Sequence, residues 1–102
     1  MKELKEGHSY ELGSYQIEGV NCETQILHFM KKVNGTMTMV GTTNEEVLKM
    51  MIHRIKYLQK KMPCHENNQA VLKLEECLMW LNYRTHKRLV QDVEGTDIPH
   101  KS

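Results

Sequence analysis

Arg84 and Arg88 stand four residues apart at the end of "CLMWLNYRTHKR" (77–88), flanked by Tyr83 and Lys87, with Trp80 one turn earlier. On a helix that spacing stacks two guanidinium forks on one face. Planar forks match phosphate and carboxylate oxygens better than any other side chain. The ordinary reading is a basic helix end that complements the helix dipole, at ~0.3–1 kcal/mol per cation. A longer pattern argues for more. Ala70, Leu74, Cys77, Leu81, Arg84 and Arg88 recur at alternating intervals of four and three, as one packing edge of a helix does. Such a seam turns both arginines toward whatever the helix packs on, where an unpaired guanidinium is costly and must meet carboxylates or an anionic ligand.

The rest of the chain supplies the partner. "GTTNEEVLKMMIHRIKYLQKKMP" (41–63) predicts a first helix. Thr43 caps it, Glu46 three residues later completes a capping box, and Pro63 ends it. Leu48, Met51, Ile55, Leu58 and Met62 form its seam. The short link "PCHENN" leads into a second helix from about Asn68 to about Val90, so the two should lie antiparallel. Arg84 and Arg88 then sit near the start of the first helix, where free backbone N–H groups around Thr43–Glu46 also favour negative charge. That combination describes a phosphate pocket. Glu45 and Glu46 are the competing partners, which would make it a salt bridge instead.

Ahead of the helices, "QILHFMKKVNGTMTMV" (25–40) alternates side chains with a period of two on either side of Asn34-Gly35. This predicts a β-hairpin with a type I′ turn. Residues 1–24 are a polar segment with a candidate strand in "SYELGSYQIEGV", and 92–102 read as a mobile tail. The expected fold is therefore a single α+β domain. Its antiparallel β-hairpin or small sheet (25–41) precedes an antiparallel two-helix hairpin (43–91). A chain of 102 residues buries a modest core. Val47, Met50 and Ile52 on one helix, and Val71, Leu78, Met79 and Trp80 on the other, exceed what one mutual contact can use. Oligomerisation through the helices is the expected remedy.

Several function classes are excluded or weakened. Fourteen basic against thirteen acidic side chains, a net +1, rule out a strongly basic nucleic-acid glove. No apolar run approaches the ~18 residues of a membrane span, and "MKELKEGHSYELGSY" has no hydrophobic stretch of a secretory signal. Cys22, Cys64 and Cys77 lack CxxC spacing and read as free thiols in a reducing cytoplasm. "NGT" at 34–36 is a turn before it is a glycosylation site. Cys64-His65-Glu66 places reactive types side by side, but neighbours in sequence rarely face one another, and no nucleophile is set beside a base. The six histidines show no HExxH or Cys/His ligand spacing, and there is no P-loop or GxGxxG. An enzyme, a metal site and a cofactor are all disfavoured.

Three lesser candidates remain. Tyr57 flanks the first helix and can stack on a base, or serve as a half-buried core tyrosine. Asn67 can read a base edge or cap the second helix. Lys32 projects from the strand before the turn, an ordinary solvated lysine if taken alone.

"GTTNEEVL", "MPCHENNQAVLKLEECLMWLNYR" and "RTHKRLVQDVEGT" resemble the phage anti-Thoeris sponge proteins, which share a helical-hairpin domain with the phage anti-CBASS sponges. The similarity runs from about Gln25 to Thr96. Its most telling parts are the "EN" before the second helix, the "LEExLMWL" body, and Arg-x-x-x-Arg followed by "VEGT". The resemblance implies a viral protein of the host bacterial cytoplasm that is no enzyme. It implies binding and sequestration of cyclic ADP-ribose isomers made by TIR-domain defence proteins, by dimers or hexamers, with cyclic oligonucleotides of CBASS held by some members at a separate site. Carried over, the phosphate-holding arginine falls on Arg84, the base-stacking aromatic on Tyr57 and the asparagine on Asn67. A further basic contact falls on Lys32, where the family's pattern has arginine, and Arg88 falls to the second, cyclic-oligonucleotide site. Tyr57 and Asn67 lie near the helix–helix link and Arg84 near the opposite end, so one pocket can use all three only across antiparallel subunits. The competing reading is a small helical interaction module whose arginines form inter-subunit salt bridges. A binder of DNA or RNA duplex through Arg84, Lys87 and Arg88 fits the neutral charge poorly.

Overall fold

In the computed structural model residues 1–91 are described; the 92–102 tail expected to be mobile lies outside them. Two small antiparallel sheets precede two long helices, an α+β arrangement. Strands β1 (Lys2–Lys5), β2 (Ser9–Leu12) and β3 (Gln25–His28) form a three-stranded sheet in the order β1-β2-β3. Strands β4 (Lys31–Val33) and β5 (Thr36–Met39) form a separate ribbon.

The alternating run from Gln25 to Val33 is thus two strands rather than one. Its first half pairs with β2, Tyr10 opposite Leu27 and Ser9 opposite His28, while only Lys31–Val33 pairs across the Asn34-Gly35 turn. That turn has positive φ at both central residues, 51° and 79°, as type I′ geometry requires. It fixes the register beside it and no further: the ladder shifts between Lys31 and Lys32. Beyond the ribbon the chain folds back along the end of β3. Phe29 and Thr42 form a parallel bridge, with Met30 N–H donating to the Thr42 carbonyl (2.9 Å) and Thr42 N–H to that of His28 (2.8 Å). Gly41 makes this crossing possible. A Cβ there would lie 2.5 Å from the His28 carbonyl oxygen.

Helix α1 spans Asn44–Lys61. Thr43 caps it as expected, its Oγ1 accepting from Glu46 N–H at 3.2 Å. Met62 leaves helical geometry (φ −139°, ψ 80°) ahead of Pro63. Helix α2 spans His65–Val90 and starts three residues earlier than the composition suggested. Its cap is Cys64, whose Sγ accepts from Asn67 N–H at 3.4 Å; Asn67 is in the first turn and does not cap.

The two helices pack along seams displaced by one residue from those expected. On α2 the buried or half-buried edge is Val71, Leu74, Leu78, Leu81, Thr85 and Arg88. It shares Leu74, Leu81 and Arg88 with the expected seam, but leaves Cys77 and Arg84 exposed. The same four-three spacing fits both phases, and the observed one buries Val71 and Leu78 in place of the smaller Ala70 and Cys77. On α1 the edge runs through Glu45, Leu48, Ile52, Ile55 and Gln59, leaving Met51 and Met62 exposed. The molecule is thin, 50 × 32 × 16 Å, little more than one helix layer deep. Among the described residues, Ile52 and Val71 are the only buried apolar side chains.

Candidate functional site

A cavity of about 990 Å³ lies between the three-stranded sheet, the start of α1 and the end of α2. The period of two along β2 and its flank places His8, Tyr10 and Leu12 on one sheet face, beside Leu27 and Phe29 from the neighbouring strand, and all five line the cavity. Tyr10 and Phe29 meet edge to face, ring centroids 5.9 Å apart. The wall opposite is cationic. Lys32 reaches it from β4, and Arg84 and Arg88 from the last turns of α2. Thr43, Asn44 and Glu45 bring the amino end of α1 to the same space, where unsatisfied N–H groups carry partial positive charge.

The three cations are held differently. Arg88 is 7% exposed, on the packing edge of α2. Arg84 is exposed on the cavity side and makes no ion pair with Glu45 or Glu46. Lys32 stands exposed on its strand opposite Met37. Three cations, one helix amino terminus and a pair of aromatic rings around one space are groups that an anion carrying a flat apolar group would need. Glu45 is the carboxylate in the wall, suited to hydroxyl or amino donors.

Sequence positions expected in the site divide by location. Lys32, Arg84 and Arg88 converge, and within one chain Arg84 and Arg88 share a single cavity. Tyr57 and Asn67 do not join them. Tyr57 is on the last turns of α1, with Lys61 Nζ 5.0 Å from its ring centroid, and Asn67 is half-buried in the first turn of α2. Fourteen helical residues separate Tyr57 from Thr43, roughly 20 Å along the axis. His8, Tyr10, Leu27 and Phe29 were missed. For Leu27 and Phe29 the signal was the same alternation that predicted the hairpin, read without the partner strand β2 that carries Tyr10.

A serine–histidine pair was also missed. Ser9 Oγ and His28 Nδ1 are 2.8 Å apart, directly opposite across β2 and β3. The serine is buried, and both residues belong to the sheet face opposite Tyr10 and Leu27, so neither lines the cavity. The contact satisfies a buried hydroxyl. Among the described residues no cluster of His, Cys, Asp or Glu could hold a metal ion, and no helix is long and apolar enough to cross a membrane.

Fold and cavity together define a helical-hairpin protein whose open end is roofed by a small sheet and lined with cations. Residues 32–85, more than half the chain, match the Acb2/Tad1 hairpin domain, and the chain belongs to that family. The match ends at Thr85, so it includes Lys32 and Arg84 and stops three residues short of Arg88. The chain is also 49% identical over 57 residues to "Thoeris anti-defense 1" of Bacillus phage SBSphiJ7. That stretch is 55% of this chain but 40% of the relative, so the chain spans well under two thirds of the relative's length.

Proposed function

We propose that this chain is a phage counter-defence sponge, which binds a cyclic nucleotide immune signal in the host bacterial cytoplasm and holds it unchanged. The observation that carries the reading is the convergence of Lys32, Arg84 and Arg88 with the α1 amino terminus and the Tyr10–Phe29 pair around one cavity. Its size, about 990 Å³, matches a small-molecule site. A cyclic ADP-ribose isomer offers the complementary parts: two phosphates for the cations, an adenine for the rings, and ribose hydroxyls for Glu45. Cyclic oligonucleotides of CBASS are a second ligand class with the same groups. Family membership and the Thoeris anti-defence relative favour this chemistry over other anions. Tight holding without turnover needs charge-assisted hydrogen bonds and stacking, and the cations and rings of the lining are suited to both.

Self-assembly completes the reading. With two buried apolar side chains among the described residues, the thin molecule leaves Leu72, Met79, Trp80 and Tyr83 of α2 exposed, together with Met50 and Tyr57 of α1. Pairing of helices from antiparallel copies, as a dimer or hexamer, would cover these groups and bring Tyr57 and Asn67 of one copy toward Arg84 of another. The same exposed surface favours the second reading, an interaction module in which Arg84 pairs with a carboxylate of a neighbouring copy. One experiment separates them. In the sponge, cyclic ADP-ribose isomers raise the melting temperature, Arg84→Ala removes that shift, and the assembly keeps its mass. In the module, no small anion shifts the melting point and Arg84→Ala lowers the mass measured by light scattering.

A further inference from the structure

We infer that the β2–β3 loop is a plug that seats in the groove between α1 and α2 of a second copy of this chain. The loop, residues 13–24, is built as a fixed projection. Ile17 to Val20 close a turn, Val20 N–H donating to the Ile17 carbonyl at 3.1 Å, with Gly19 at φ 78°, as the third residue of a type II turn requires. Ile17 N–H also donates to Cys22 Sγ (3.3 Å), the Ser14 hydroxyl donates to the Glu23 carbonyl, and Thr24 Oγ1 donates to Glu11 (2.9 Å). A loop tied at this many points would be expected to cover its apolar side chains, yet it displays them. Tyr15 is 91% exposed, and Ile17 and Val20 stand exposed on either side of Glu18 at the tip. Between Gly13 and Thr24 the charged residues are Glu18 and Glu23, with no Lys, Arg or His. The projection is apolar and acidic.

The groove has the opposite character in charge and the same in polarity. It is a second cavity, about 590 Å³, with Ile52, Leu78 and Met79 as apolar lining and Lys49, His53 and Lys56 along the α1 side. Glu75 engages Lys56 at 3.2 Å, which leaves Lys49 with no ion-pair partner among the described residues. An apolar tip carrying a carboxylate fits an apolar trough edged by an unspent ammonium. The tip's exposure shows that it is not seated in its own chain's groove, which leaves it free to enter that of a second copy. Asn82 lines both this groove and the cationic cavity, so a seated plug adjoins the ligand site without filling it. The inference rests on the proposed self-assembly and not on the identity of the ligand.

Charge reversal tests it, with mass followed by light scattering over a dilution series and folding checked by circular dichroism. Both positions are exposed, so the variants should fold. Glu18→Lys and Lys49→Glu should each weaken assembly about tenfold, and Val20→Asp should weaken it more. A one-to-one mixture of the Glu18→Lys and Lys49→Glu chains should recover mass that neither has alone, because reversed plug then meets reversed groove. Wild-type assembly in all three single variants overturns the proposal, as does a mixture that recovers nothing. Thermal shift with a cyclic ADP-ribose isomer on the same samples reads the sponge function separately: ligand binding with unchanged assembly removes the plug alone, and assembly without ligand binding removes the sponge alone.

Discussion

The two ends of the helical hairpin carry similar kinds of side chain in differently shaped surroundings. At the open end, the last turns of α2 and the first of α1 face a sheet across a concave space with Arg84, Arg88, Lys32, Tyr10 and Phe29 around it. At the turn end, Pro63 and Cys64 join the helices without a third element, and Tyr57 and Asn67 line neither of the two cavities described above. Both ends offer a ring, hydrogen-bonding groups and cations, since Lys60 and Lys61 close α1. What distinguishes them is the wall. A concave site needs groups approaching from three directions, and only the open end has the strand crossing at Gly41–Thr42 that ties sheet, ribbon and helix together. In the proposed assembly, another copy would supply the wall that the turn end lacks.

The largest effect expected is at the open end. Arg84→Ala should lower affinity for a cyclic ADP-ribose isomer about 100-fold or more, the loss of two charge-assisted hydrogen bonds at ~1.5 kcal/mol each. Because Arg84 is exposed, the free protein should melt within a few degrees of wild type, checked by calorimetry on both forms. Gly41→Ala should follow. Its Cβ meets the His28 backbone, so the crossing must shift, at a cost of about 1–3 kcal/mol or roughly 4–8 °C per kcal/mol. A melting point unchanged by this substitution would detach the cavity from the crossing. Tyr57→Ala should weaken ligand binding about tenfold, in line with the lower range of base stacking at ~1–3 kcal/mol. Mixing Tyr57→Ala chains with Arg84→Ala chains should then restore a minority of full-affinity sites, visible by titration calorimetry. If mixing restores none, the turn end serves no shared pocket. The smallest effect tests the cap. Cys64→Ser replaces a weak sulfur acceptor by a hydroxyl and should raise stability by a few tenths of a kcal/mol, whereas Cys64→Ala should lower it by about 0.5–1 kcal/mol.

Helices, hairpin turn and the meeting of arginines with a helix amino terminus were legible because each rests on local chemistry. Thr43, Pro63 and Asn34-Gly35 act within a few residues of themselves. What was not legible depends on contacts between distant segments. The run Gln25–Val33 carries one alternation but two partners, and nothing within the run says that Phe29 ends one ladder and Lys31 begins another. The α2 seam was misphased because a four-three repeat specifies a face to within about one residue, so Arg84 was read as inward when only Arg88 is buried. Tyr10 and Phe29 were overlooked for a related reason: their common face exists only once β2 and β3 pair. The Ser9–His28 contact, nineteen residues apart, was invisible on the same ground.

The proposed function turns on the open-end cavity gripping a small cyclic phosphate without cleaving it. The direct measurement is titration calorimetry of wild type and Arg84→Ala with purified cyclic ADP-ribose isomers, followed by denaturation and chromatography of the released ligand. Tight binding by wild type, at least a hundredfold weaker binding by the variant, and recovery of intact ligand are the expected results. Equal affinity in both proteins, or a ligand recovered in hydrolysed form, would contradict it.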